Sequence, residues 1–146
     1  PFNITTVGSL INDKLYSTTA HPHIDIKRDF FNKPRIYRYL KKTKLNENWV
    51  YHIKELARLG IGEILLNSVD KDGSLIGPDY ELIKVLSKEI NLPLVSLGGI
   101  SSLEDMKKII KYGASAVAAG SFFCFYGPHK AVLLTYPTYE EIKTIF

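Results

Sequence analysis

The chain has 146 residues, of which 45% are hydrophobic, and it carries 19 Lys and Arg against 15 Asp and Glu. These values predict one globular domain. The net charge of +4 is spread over predicted helical faces, which argues against a nucleic-acid-binding surface. The single cysteine, Cys124, excludes an intrachain disulfide. No apolar run is long enough to span a membrane and no signal peptide opens the chain, so we expect a cytoplasmic protein.

Residues 1–23 show no clean hydrophobic period, and we predict no element for this N-terminal segment. The alternation in Ile24–Arg28 predicts a strand with Asp25 and Lys27 on one face. Two interpretations remain open for this pair: a surface ion pair, or an acid/base carboxylate that Lys27 keeps ionised. His21 and His23 lack a third ligand at metal spacing, so we predict no metal site and no other cofactor.

The segment 29–46 is long, basic and aromatic, and it predicts an excursion, such as a hairpin, above the strand ends. A helical stripe begins near Glu47 and ends at Gly60. The apolar run 63–69 predicts a buried strand, and an acidic loop, 70–74, follows it. This loop misses the ligand positions that calcium requires. A second helix is predicted after Asp79, with Leu82, Ile83, Leu86 and Ile90 on one face.

Two further strands, 92–97 and 115–120, flank a third helix that begins at a predicted capping box, Ser101 to Glu104. Strands that alternate with helices predict a parallel sheet. A full (β/α)8 TIM barrel takes about 250 residues. The four strand-helix units counted in residues 24–146 therefore predict an α/β fold that is the C-terminal half of such a barrel.

The last two strands end on small residues, Gly98-Gly99 and Gly120-Ser121. Glycine lets backbone N–H groups approach an anion closely, and the short apolar segment 122–125 could form the extra helix of a barrel phosphate site. The pattern therefore indicates either a phosphate cradle or two tight turns that need glycine for their geometry alone. Both interpretations remain open at this stage.

These motifs together resemble the cyclase subunit (HisF) family of imidazole glycerol phosphate synthase. The resemblance rests on Ile24–Arg28, on the run from Gly62 to Gly73, and on the two glycine-ended strands, in order and at suitable spacing. It implies the C-terminal half of a phosphate-binding barrel. It also implies an enzyme of histidine biosynthesis, a lyase that uses ammonia from a partner glutaminase subunit on a phosphorylated substrate to form imidazole glycerol phosphate.

The resemblance also implies roles for particular residues. Asp25 falls at one of two catalytic aspartates, and Glu63, at the opposite end of its strand, falls at an ammonia gate. The expected substrate- and phosphate-binding residues follow the strands: Ser68, Asp70, Asp72, Gly73, Gly98, Gly99, Gly120 and Ser121.

Two departures from the family pattern matter. Leu97 stands where serine is usual, and the ending 120–137 is similar to paralogues that pass ammonia toward amidination of an N-acetyl sugar in surface-polysaccharide (lipopolysaccharide) biosynthesis. The first four units are not in this sequence, so we expect the chain alone to be inactive, and its open half-barrel to self-associate or pair with a missing half. The alternative function is a non-catalytic phosphate-binding half-barrel, or truncated remnant, that acts as an assembly module.

Overall fold

The computed structural model describes residues 23–38, 41–127 and 129–145, so the N-terminal residues 1–22, for which no element was predicted, lie outside it. The strands are β1 (His23–Arg28), β2 (Pro34–Arg38), β3 (Thr43–Lys44), β4 (Ile64–Ser68), β5 (Leu94–Leu97) and β6 (Ala116–Ala118). They form one sheet in the order β3-β2-β1-β4-β5-β6. Strands β1, β4, β5 and β6 are parallel neighbours, which confirms the predicted parallel sheet.

Helices connect the parallel strands, and their bounds are α1 (Trp49–Arg58), α2 (Tyr80–Leu86) and α3 (Leu103–Lys111). A short helix α4 (Ser121–Cys124) follows β6, where the sequence predicts an extra helix. A small hairpin, β7 (Phe125–Tyr126) and β8 (Ala131–Val132), comes next, and helix α5 (Tyr139–Lys143) is the last element. No helix within the described ranges is long and apolar enough to cross a membrane.

The two faces of the parallel sheet differ in burial. One face packs against α1, α2 and α3, and its strand residues are almost fully buried: Ile24, Ile26, Ile64, Leu66 and Leu94. Burying such a side chain contributes about 1.5–3 kcal/mol, so this layer is the main source of stability. The opposite face carries half-buried residues such as Leu65, Val95 and Leu97. Helices on one face and a half-covered other face are the architecture of half a (β/α) barrel, with the half-covered face as its inner surface.

The predicted excursion after β1 is a hairpin, which confirms that part of the prediction. Strand β2 turns back and pairs antiparallel with β1 through Ile26↔Ile36, Lys27↔Arg35 and Arg28↔Pro34. The excursion thus extends the sheet instead of standing above the strand ends. Asp29 closes the turn, because its carboxylate accepts hydrogen bonds from the N–H groups of Phe31 and Lys33.

The predicted capping box is not formed, and the N-cap is shifted by one residue. The N-cap of α3 is Ser102, whose hydroxyl accepts a hydrogen bond from the Asp105 N–H at 3.1 Å. The Asp105 carboxylate accepts hydrogen bonds from the N–H and the hydroxyl of Ser101, the residue before the N-cap. Asp105 also accepts a hydrogen bond from Tyr80, so the carboxylate that faces α2 takes the role expected of Glu104.

Candidate functional site

A row of four residues crosses the parallel strands near their carboxyl ends. The strand register pairs Asp25 with Asn67, Asn67 with Leu97, and Leu97 with Ala118. Register partners in parallel strands share a face, so these side chains all belong to the inner face of the half-barrel. The glycine-containing loops begin one or two residues beyond this row. The carboxyl edge of the sheet therefore brings Asp25 and the glycine loops to the same end of the fold.

Asp25 is held by polar groups on the inner face, and its side chain is only 15% exposed. Its Oδ1 accepts a hydrogen bond from Asn67 Nδ2 at 2.9 Å. His23, one row below, places its Nε2 3.2 Å from the same oxygen, although the angle does not make a hydrogen bond. Both interpretations of the Asp25 and Lys27 pair, a surface ion pair and a carboxylate that Lys27 keeps ionised, are wrong in requiring contact between the two side chains. Within the described residues these two groups form no ion pair, and Lys27 Nζ lies 5.1 Å from the centre of the Tyr37 ring.

The three predicted binding loops meet at one small cavity of about 10 Å³. Six of the predicted residues line it: Asp72, Gly73, Gly98, Gly99, Gly120 and Ser121. The other residues of its lining are apolar: Leu75, Leu97, Ile100 and Ala119. A cavity of this size admits about one water molecule, so a larger anion would have to sit at its mouth. The convergence joins loops that are far apart in sequence.

The glycines of these loops are required for different reasons. Gly98 and Gly99 have φ angles of +101° and +87°, and a Cβ atom on Gly98 would lie 2.7 Å from the Ser68 carbonyl oxygen. Their identity is thus explained by backbone geometry, as the second interpretation of the glycine pattern expects. Gly120 has φ −112°, and a Cβ atom there would meet nothing within 4 Å. Neither conformation nor packing within the described residues requires glycine at position 120.

The other predicted site residues lie apart from the cavity. Ser68 is 6% exposed, and its side chain belongs to the helix-covered face because it follows Asn67 in the strand. Its carbonyl oxygen accepts hydrogen bonds from the N–H groups of Lys71 and Asp72. Asp70 accepts a hydrogen bond from the Arg28 N–H at 2.6 Å and so ties its loop to β1. Glu63 immediately precedes β4 and lies at the opposite, amino end of the sheet.

A half-buried carboxylate, that of Asp105, supports the loop that carries Gly98 and Gly99. Asp105 binds Ser101 as described above and accepts the Tyr80 hydroxyl at 2.7 Å. Burial raises the pKa of Asp105, but the hydrogen bonds from Ser101, Tyr80 and Ser102 outweigh burial and hold the pKa below its usual value. Burial and the neighbouring Asp105 carboxylate raise the pKa of Tyr80. The pair therefore links α2 to the start of α3 directly beside the cavity.

Asn67 is the residue that the sequence prediction missed. It is 3% exposed, donates to Asp25, and keeps its own Oδ1 buried without a hydrogen-bond partner among the described residues. The sequence did carry a signal, an amide side chain within an apolar run. Because side chains alternate along a strand, Asn67 shares a face with Leu65, which is the inner face. Within the same described ranges, no group of three or more His, Cys, Asp or Glu could hold a metal ion.

The fold and the carboxyl-edge site define the chain as part of a (β/α) barrel. The chain belongs to the histidine biosynthesis protein family, whose model matches residues 10–129. This family has the (β/α)8 barrel fold, so the four units described here form a half-barrel.

Curated relatives of the chain carry names of imidazole glycerol phosphate synthase subunits. A protein of Leptospira borgpetersenii, named "Putative imidazole glycerol phosphate synthase subunit HisF", is 43% identical over 64% of this chain and 37% of its own length. One of Pseudomonas aeruginosa, with the same name ending in hisF2, is 33% identical over 90% of this chain and 53% of its own length. The HisF subunit of Dictyoglomus turgidum is 41% identical over 70% of this chain and 40% of its own length. The chain thus spans about half the length of these relatives, or less.

Proposed function

We propose that the chain supplies the C-terminal, phosphate-binding half of a cyclase-type subunit in a glutamine-dependent synthase. Such a subunit uses ammonia on a phosphorylated substrate, as in imidazole glycerol phosphate synthase, the enzyme named in the relatives. The P. aeruginosa relative named hisF2 and a relative named hisF3 from Vibrio vulnificus show that the family also contains paralogues. The sugar-amidination branch, whose paralogues the ending 120–137 resembles, is a second substrate class within the same proposal.

The observation that carries the proposal is that three loops meet at the same edge of the sheet as the Asp25 carboxylate. Residues 72–73, 98–99 and 120–121 line one cavity at the carboxyl edge of the sheet, and Asp25 lies on the inner face of the same edge. In barrels of this type the loops after the last two strands, with a short extra helix, bind phosphate. Here those loops follow β5 and β6, and α4 begins at Ser121.

The proposed roles follow from position. Asp25 acts as the general acid/base, because its carboxylate is the one acidic group in the row across the strands. Gly98, Gly99, Gly120 and Ser121 surround one phosphate group, and Asp72 and Gly73 close over the substrate. Glu63 acts at the amino end, where ammonia would enter. Ser68 and Asp70 serve the site through the turn that they hold together.

The partners in the proposal are a glutaminase subunit and a second half-barrel, in the cytoplasm. The inner face of the sheet leaves Leu65, Val95 and Leu97 only half-buried among the described residues, which supports a missing covering layer. The four strand-helix units of this chain are proposed to be inactive on their own. The reason is that one of the two catalytic aspartates expected from the family pattern is not among them.

The test is an ammonia-dependent reaction with the chain assembled with the other half of a barrel and a glutaminase. The bis-phosphorylated ribulosyl substrate and an N-acetyl sugar are offered in parallel, with an ammonium salt or glutamine as nitrogen source. Mass spectrometry then identifies imidazole glycerol phosphate or an amidinated sugar. Formation of either product supports the proposal and selects its branch. Failure of both, with intact phosphate binding, contradicts the catalytic role.

The second candidate is a non-catalytic phosphate-binding assembly module. The specific observation in its favour is the position of Asp70, whose Oδ2 accepts the Arg28 N–H and so ties its loop to β1. This candidate predicts phosphate binding that is indifferent to Asp25, in every assembly. It is distinguished from the first by turnover alone.

A further inference from the structure

The amide of Asn67 contacts only one of the two oxygens of Asp25. Nδ2 donates to Oδ1 at 2.9 Å, and the His23 imidazole approaches the same Oδ1 at 3.2 Å. Within the described part of the chain, Oδ2 of Asp25 takes no hydrogen bond. The two oxygens of the carboxylate are thus made unequal by their surroundings.

Asn67 is itself fixed in place. It is 3% exposed, and a Cβ atom on Gly98 would lie 3.1 Å from its Oδ1. That oxygen has no donor among the described residues, although a buried amide oxygen normally has one. The amide group therefore lies between Asp25, to which it donates, and the first glycine of the loop after β5.

We propose that Asn67 is a positioning residue for Asp25, and this inference rests on the proposed function. Its amide holds Oδ1, so that Oδ2 is the oxygen that exchanges a proton with the substrate. In the same orientation Asn67 turns its buried Oδ1 toward Gly98, the first residue of the glycine loop. One side chain thus ties the orientation of the acid/base group to the loop of the proposed phosphate site.

The first test needs no turnover and uses the 15N-labelled chain of 146 residues. The Asn67 side-chain NH2 signals are followed by NMR between about pH 2.5 and 7, a range that spans the titration of carboxylates. We expect the donated proton to shift with the titration of a carboxylate and to exchange with water at least about tenfold more slowly than the exposed amide of Asn32. Asp25→Ala removes the acceptor and should abolish the protection.

The matched control is Ser96→Ala, a buried polar residue on the neighbouring strand that belongs to the helix-covered face and does not contact Asp25. It should leave the Asn67 signals unchanged. Signals that ignore pH in the unsubstituted chain overturn the proposal even if Asp25→Ala does not fold. Signals that respond equally to Ser96→Ala overturn it as well.

The second test uses the assembly that shows ammonia-dependent turnover. Asn67→Ala should lower kcat by about a hundredfold, as a misplaced catalytic group does, with KM changed less than about twofold. Asn67→Asp places a second carboxylate beside Asp25, and the acid limb of the pH–rate profile should move to higher pH because adjacent carboxylates resist ionising together. A uniform loss of stability with an unmoved profile overturns positioning. If no assembly turns over, the proposed function fails while the NMR test still decides the contact.

Discussion

Gly77 and Gly99 contact each other backbone to backbone. The Gly77 N–H donates to the Gly99 carbonyl oxygen at 2.8 Å, and this bond joins the loop after β4 to the loop after β5. A Cβ atom on Gly99 would overlap the Gly77 carbonyl oxygen and come within 2.9 Å of Lys71 Cβ. The cavity walls are therefore held together by two residues that have no side chains.

The first prediction is that Gly99→Ala destabilises the chain by about 3 kcal/mol, because the new methyl group meets rigid backbone and the φ of +87° adds strain. Urea denaturation followed by circular dichroism measures this loss. Gly62→Ala is the control, because a Cβ atom there meets nothing within 4 Å. Equal stability of the two variants would contradict the contact between the loops.

The second prediction concerns Gly120. Gly120→Val should change stability by less than about 0.5 kcal/mol, since the position is open and its φ suits any residue. It should nevertheless weaken the binding of inorganic phosphate at least about tenfold, because the side chain fills the mouth of the cavity. Titration calorimetry compares it with Gly62→Val at the amino end of the sheet. Unaltered binding would mean that phosphate does not lie against Gly120.

The third prediction is an acid-sensitive link between α2 and α3. Because the folded-state pKa of Asp105 is lowered, its stabilising contribution is complete above the ordinary carboxyl pKa of about 4 and is lost as pH falls through the folded-state value. Asp105→Asn should therefore be less stable than the unsubstituted chain at neutral pH, and the difference should shrink to zero in acid. Thermal unfolding at several pH values measures the difference, and a constant difference refutes the link.

The fourth prediction concerns Arg28, whose Nε and Nη2 donate to Asp79 Oδ2 at 3.0 and 2.8 Å. Since the Asp79 side chain is only 9% exposed, Arg28→Ala should cost about 1.5–3 kcal/mol in urea denaturation. The control is Arg58→Ala. The Arg58 side chain is 77% exposed and pairs with Glu55, so its removal should lower the free energy of unfolding by less than about 0.5 kcal/mol. Similar losses for both would show that the Arg28 pair is only a surface contact.

The fifth prediction separates chemistry from binding. Asp25→Asn should lower ammonia-dependent turnover at least about a hundredfold, because a carboxamide cannot exchange the proton, while phosphate affinity stays nearly intact. Kinetics and phosphate titration on the same preparation measure both quantities. An equal loss of turnover and affinity would remove the acid/base assignment of Asp25.

The elements could be predicted well from the sequence because their burial is periodic. The stripe of Trp49, Ile53 and Leu56 is buried as helical spacing requires, and the apolar runs are the parallel strands. The shift of the α3 cap from Ser101 to Ser102 had a tertiary cause. Both serines have an acidic residue three positions later, and the contact between Asp105 and Tyr80, 25 residues away, selects the second.

The candidate site could be predicted in its loops but not in its pairings. Gly98 and Gly120 follow apolar strands and so mark the carboxyl edge from the sequence alone. The partner of Asp25, by contrast, depends on strand register: Asn67 is 42 residues away, whereas Lys27, two residues away, lies over Tyr37 on the added strand. Local spacing cannot show which neighbouring strand supplies the nearer polar group.

The hairpin after β1 limits the length over which another strand can pair with the outer edge of the half-barrel. Strand β2 pairs with Ile26 to Arg28 and leaves the outer edge of His23 to Asp25 unpaired within the described residues. A further strand can therefore pair with β1 over only about three residues, or roughly 10 Å. Above that point strand β2 itself occupies the edge of β1, so the turn at Asp29, and not a neighbouring barrel strand, borders the carboxyl end of β1.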